Sequence, residues 1–186
     1  IHRSGLSYFP GISFESLLRG DVPQACRDYC SPDVFTLSQI ENNATRSLSE
    51  LRSRERDIFG TGIPIDITVS DYIENNYRRE FLFHTYNHPT NKLLIFIGNQ
   101  ILKRLGINDV TKDFEYELLG SFSIPPSPCV YLSLKMTFPF PPFVIFENLS
   151  MEMAMVKFSQ ALDHADDELQ SRWRDCLAYK REILNI

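Results

Sequence analysis

The sequence predicts a helix-rich α/β or α+β fold with few short strands and a long C-terminal helix, and three observations carry that reading. Residues 36–57 and 150–186 lack both glycine and proline and repeat apolar side chains at helical spacing. Ile63, Ile65, Ile67 and Val69, and later Val130, Leu132, Leu134 and Met136, alternate with other residues as short strands do. Between Phe122 and Phe143, six prolines (125, 126, 128, 139, 141 and 142) argue against a helix across that stretch.

The elements follow in order. Residues 1–35 mix glycines and prolines with short apolar runs, which predicts loops and one short helix around Phe14 to Arg19. From Thr36 to Asp57, Leu37, Ile40, Leu48, Leu51 and Glu55 recur on a helical face, and Ser47-Leu48-Ser49-Glu50 fits a capping box at which a helix restarts. Gly60, Gly62 and Pro64 stop it, and the alternating residues 63–69 predict an extended segment. Ser70 is placed to cap a further helix with the stripe Ile73, Tyr77 and Phe81, which delivers the chain to His84. After Pro89, Leu94, Ile97, Ile101 and Leu105 predict a deeply buried helix from about Asn91, with Gly106 as its left-handed stop. Val130 to Met136 predicts a strand. From Ser150 onwards Met151, Met155, Phe158, Leu162, Leu169, Trp173 and Ile183 predict a long helix, with a break near His164 to Asp167 expected from ordinary helix lengths.

A chain of 186 residues with 43% hydrophobic content can bury one sizeable core. One helix-rich domain over 1–186 is expected, as the C-terminal part of a longer protein. A net charge of -5 argues against nucleic acid or an anionic membrane as partner, because both need a basic surface. No apolar run approaches the ~20 residues that span a bilayer, so no transmembrane segment is expected. Four cysteines are too few for a secreted disulfide scaffold, which points to reduced thiols in a cytoplasmic protein.

Chemistry concentrates in Phe83-His84-Thr85-Tyr86-Asn87-His88-Pro89-Thr90-Asn91. Pro89 suits the first turn of the following helix, which would put His88 at a helix N-terminus. There the positive dipole end favours a neutral imidazole, and His88 could serve as a general base. Asn87 could orient the ring or a substrate, and Thr85 could donate its hydroxyl. The same residues also build ordinary turns, with Asn87 or Thr90 bonding helix-end amides. His84 and His88 stand four apart, a spacing that joins metal ligands on one helical face, but Pro89 directly after His88 and the missing Glu of His-Glu-x-x-His argue against a metal site. Arg78 and Arg79, just upstream, and Arg52, Arg54 and Arg56 offer charge to an anionic cofactor or form solvated helix faces. In Cys26-Arg27-Asp28-Tyr29-Cys30, Arg27 could lower a thiol pKa.

Thr85-Tyr86-Asn87-His88-Pro89, set between the helix containing Leu51-Arg52-Ser53-Arg54-Glu55-Arg56-Asp57 and the stretch Leu94 to Gly106, resembles the WcbI-type capsular polysaccharide biosynthesis family over residues 47–110. The resemblance implies a mixed α/β fold and an acyl (acetyl) transferase with coenzyme A or acetyl-coenzyme A as donor and a carbohydrate acceptor. It implies catalytic roles for His88, Asn87 and His84, and cofactor contacts for Thr85, Arg78 and Arg79. The family's Gly-Asn-Cys-Gln segment, with its nucleophilic cysteine, has no counterpart here; Gly98-Asn99-Gln100 lacks the cysteine. The competing expectation is a non-catalytic helical interaction or assembly protein, forming a homo-oligomer through the C-terminal helix.

Overall fold

The computed structural model describes residues 11–57, 60–63, 65–85, 87–108, 114–145, 147–164 and 171. It is helix-rich, with its short strands in two small antiparallel sheets. Helices α1 (Gly11–Leu18) and α2 (Val22–Cys30) occupy a region expected to hold one short helix. The proline read as a breaker starts the second: Pro23 sits in the first turn, where a missing N–H is harmless, and the Asp21 carboxylate accepts from the Gln24 amide at 3.0 Å.

Helix α3 (Leu37–Arg56) runs unbroken for 20 residues. Its capping box is Thr36 with Gln39, so the Ser47 to Glu50 signature lies within the helix and ends nothing. Residues 65–69 keep the expected alternation in burial, with Ile65, Ile67 and Val69 half-buried and Asp66 and Thr68 exposed. They form no strand, because Ile65 bonds back to the Glu55 carbonyl instead of to a neighbouring strand. Helix α4 (Ser70–Asn76) is capped by a side chain distant in sequence. Glu55 Oε1 accepts from the Val69 and Ser70 amides at 2.6 and 2.9 Å, and Oε2 accepts the Ser70 hydroxyl. Ser70 is therefore a donor to a cap and not the cap itself. The helix closes at Asn76, which leaves Phe81 off its stripe.

Strands β1 (Phe83–Thr85) and β2 (His88–Pro89) make an antiparallel hairpin. Helix α5 (Asn91–Arg104) ends at Gly106, whose φ of 72° lets the Ile107 amide reach the Leu102 carbonyl at 2.9 Å. It is less enclosed than its composition suggested: Asn91 and Leu93 are buried, whereas Ile101 and Leu105 are exposed.

Strand β3 (Phe122–Ser123) precedes α6 (Pro128–Ser133), the segment expected to be a strand. Pro128 opens this helix, and Lys135, at φ 53°, closes it by sending the Met136 amide to the Tyr131 carbonyl at 3.0 Å. Strand alternation would require Leu132 to be covered, and it is exposed. Strands β4 (Phe143–Ile145) and β5 (Asn148–Leu149) complete the sheet β3-β4-β5. Helix α7 (Met151–Asp163) ends in a turn at His164; the stripe from Leu169 onwards and the rest of the expected break lie outside the described residues.

The main core joins both ends of the described chain. Phe14 and Leu17 of α1, Ala25 and Tyr29 of α2, Phe143 and Ile145 of β4, and Ala154, Met155 and Phe158 of α7 are buried together. The described part of the α7 stripe is thus spent on the interior. Tyr29 donates to the Pro125 carbonyl at 2.7 Å, and burial pushes its hydroxyl pKa far above the ordinary value. A second cluster of Ile40, Cys129 and Leu134 holds α3 against α6. No helix among the described residues is long and apolar enough to cross a membrane.

Candidate functional site

The histidine segment is a hairpin, and this changes the expected position of His88. Pro89 lies in β2, Thr90 is the N-cap of α5, and His88 sits one strand residue earlier, away from the helix N-terminus. The exposed turn residue Asn87 accepts from the Thr85 hydroxyl at 3.0 Å, a bond within the hairpin turn. Thr85 is buried, while His88 is half-buried and pairs with it across the hairpin.

His84 points inward and is held at both ring nitrogens. Nδ1 lies 3.3 Å from the buried Ser123 hydroxyl and Nε2 lies 3.2 Å from Glu117 Oε2. An ionised carboxylate only accepts, which assigns the ring proton to Nε2 in the neutral imidazole and leaves Nδ1 to accept from Ser123. Phe81 stands edge-on to the ring at 5.4 Å, and the Ile124 amide bonds the His84 carbonyl at 2.9 Å, which seats β1 beside β3.

Neither Ser123 nor Glu117 was singled out in the sequence, because each is more than thirty residues from His84. Asn91 is what brings Glu117 back. Its side chain donates to the Tyr116 carbonyl at 2.8 Å and accepts from the Leu118 amide at 3.0 Å, clamping the segment between them. Its backbone amide, the first in α5, donates to Glu117 Oε2 at 2.8 Å. The carboxylate therefore meets the positive helix end and His84 at once. Thr90, at the N-cap position, makes no side-chain cap bond, because Glu117 performs that task. Gly120 is required by the same packing: a Cβ there would stand 2.6 Å from the Glu117 Cβ and 3.5 Å from His84 Cε1.

Arg78 and Arg79 lie on the exposed stretch after α4, and neither has a carboxylate partner among the described residues. Arg78 donates to the Tyr77 hydroxyl at 2.9 Å and Arg79 to the Asn75 carbonyl at 2.8 Å. Arg78 lines a groove of about 1130 Å³ between α3 and α4, while Thr85 and Arg79 do not, so the three expected cofactor residues do not share one surface. Arg78 is nevertheless joined to the histidine hairpin. Its carbonyl accepts from the Thr137 amide at 2.7 Å, the next residue Phe138 packs on Phe81, and Phe81 packs on His84.

Cys26 of α2 is not an activated thiol. Burial, then Glu152 and Cys30, raise the Cys26 pKa against a weaker opposing effect of Arg27. Cys129 is buried and donates to the Pro32 carbonyl at 3.0 Å. No group of three His, Cys, Asp or Glu side chains among the described residues is arranged to hold a metal ion.

Comparison with known proteins gives two positive results. The family model described as polysaccharide biosynthesis enzyme WcbI matches residues 8–110, more than half of the chain. A solved structure of WcbI, described as a novel polysaccharide biosynthesis enzyme in its native form without a disulfide bond between coenzyme A and a cysteine of that protein, superposes with a TM-score of 0.70 at 19% identity. The match covers 94% of this chain and 59% of that one, so the chain spans less than two thirds of its length; at this identity the likeness shows the fold. No curated protein sequence matches.

Proposed function

We propose that this chain, which belongs to the WcbI family of polysaccharide biosynthesis enzymes, serves in acyl transfer from an acyl-coenzyme A donor to a hydroxyl of a saccharide acceptor. The observation that carries the reading is the division of labour between the two histidines. His84 is buried and engaged at both nitrogens, whereas His88 is half-buried on the adjoining strand. A fixed imidazole that anchors a hairpin and a second one presented beside it give a base a defined place, which general base catalysis demands before any tuning of pKa.

In this reaction the acceptor oxygen bonds to the acyl carbon and the carbon–sulfur bond breaks. His88 takes the proton of the attacking hydroxyl and returns it to the leaving thiolate. His84 is a positioning residue, held by Glu117 and Ser123, and the Thr85–Asn87 bond keeps the turn from shifting His88. Arg79, exposed, outside the α3–α4 groove and without a carboxylate partner among the described residues, suits the donor's phosphates, for which guanidinium groups are good partners. The coenzyme A named for the solved WcbI structure supports this choice of donor. The acetyl form of the donor and a cytoplasmic site of action belong to the same proposal.

The test is turnover of acetyl-coenzyme A with a saccharide acceptor. His88→Ala is expected to lower kcat by roughly 10²–10³ and to leave the urea unfolding midpoint in place. Unchanged turnover would remove His88 from the mechanism.

A further inference from the structure

The groove between α3 and α4 has a volume of about 1130 Å³, and the histidine chemistry does not use it. One wall is a single face of α3, from Glu41 through Thr45, Leu48 and Arg52 to Arg56. Fifteen steps of helix make that wall about 22 Å long, the scale of a chain of sugar rings. The other wall is Asp71 and Glu74 of α4 with Tyr77 and Arg78 beyond it. Glu55 joins the two walls through its bonds to Val69 and Ser70.

The charges within it argue against a polyanion. Arg52 is already bound through one nitrogen, Nη2, to Asp71 at 3.0 Å and to Glu74. Glu41 and Glu55 add two more carboxylates, which leaves only Arg56 and Arg78 without an acidic partner among the described residues. A ligand with several phosphates would meet four carboxylates against three guanidinium groups. A neutral, hydroxyl-rich ligand meets a better match. Carboxylates and amide oxygens accept from hydroxyls, the Nε and Nη1 hydrogens of Arg52 donate to them, and Thr45 and Ser49 do both. The two carboxylates hold the Arg52 plane in place before any ligand arrives. Leu48, Leu134 and the Tyr77 ring offer apolar surface for the C–H faces of pyranose rings.

We infer that the α3–α4 groove binds a neutral oligosaccharide along the face Glu41–Arg56, with its Tyr77–Arg78 end directed toward the histidine hairpin. Binding stands on the groove alone; the assignment of that saccharide as acceptor rests on the acyl-transfer reading. The packing from Arg78 through Phe138 and Phe81 to His84 joins the end of the groove to the hairpin.

The experiment is binding of the full chain to immobilised neutral hexose oligosaccharides and to their uronic-acid-containing counterparts, with and without free coenzyme A. Ser49→Trp fills the groove from an exposed position of α3, and Ser38→Trp, on the same helix outside the groove, is the control for folding. The expected result is capture by neutral chains, weakened at least about tenfold by Ser49→Trp, unaltered by Ser38→Trp and not displaced by coenzyme A. Capture that Ser49→Trp leaves intact, preference for the uronic-acid chains, displacement by coenzyme A, or no capture would each overturn the inference. Groove binding without acyl transfer would refute the proposed reaction and leave the site standing. Transfer whose acceptor KM ignores Ser49→Trp would do the reverse.

Discussion

The histidine hairpin and the α3–α4 groove are both rich in polar groups, and they treat those groups in opposite ways. Around His84 the polar atoms are satisfied by one another: the buried Ser123 and Asn91 and the more exposed Glu117 each make the contact that another needs. Along the groove the polar atoms stay in water, apart from Glu55 and Ser70 at its floor. A buried network fixes geometry, because each broken bond leaves a group without solvent to replace its partner. A solvated groove costs little to keep and exchanges its waters for a ligand's hydroxyls. Rigidity and receptivity are thus placed in separate parts of one small molecule.

Substitutions can break or sharpen this contrast. Glu55→Ala, at the buried floor, removes the acceptor of three donors and should lower unfolding free energy by about 3 kcal/mol in a urea titration. A shift as small as that of a surface change would show that water reaches the floor. His84→Ala should cost about 2 kcal/mol and reduce turnover along with stability, in contrast to His88→Ala, which should reduce turnover alone. Tyr29→Phe, which deletes the hydroxyl donated to Pro125, should cost about 1 kcal/mol by thermal or chemical unfolding. Arg52→Ala, on the exposed rim, should leave the unfolding midpoint where it is, since solvated ion pairs contribute little. A large loss there would mean that the rim is structural and not kept open for a ligand.

Helices whose signals are local were legible in the sequence. Gly106 ended α5 as its position implied, and the apolar spacing of Met151 to Phe158 marked a real face, whereas of the α3 stripe Ile40 and Glu55 are buried and Leu37 is exposed. Misreadings arose where a distant partner decided the outcome. Val130 to Met136 alternates like a strand, yet Pro128 and the left-handed Lys135 bound a helix there. Residues 65–69 alternate in burial but pair with no strand among the described residues. The sequence pointed to His84, His88, Asn87 and Thr85 as a group, and the hairpin does bring them together. Ser123 and Glu117 carried no local mark; Gly120, with no room for a Cβ, was the one nearby hint, and its meaning depends on coordinates.

The closing of α7 over α1 and α2 governs how this chain reaches its fold. The Ser159 hydroxyl meets the Leu17 carbonyl at 3.5 Å across 142 positions of sequence, and Met155 and Phe158 fill the space between the first two helices. Emerging from a ribosome, α1 and α2 would wait with Phe14 and Leu17 uncovered until nearly the whole described chain had been made. Such a delay in burying apolar surface slows folding and exposes the nascent chain to aggregation and to chaperone capture.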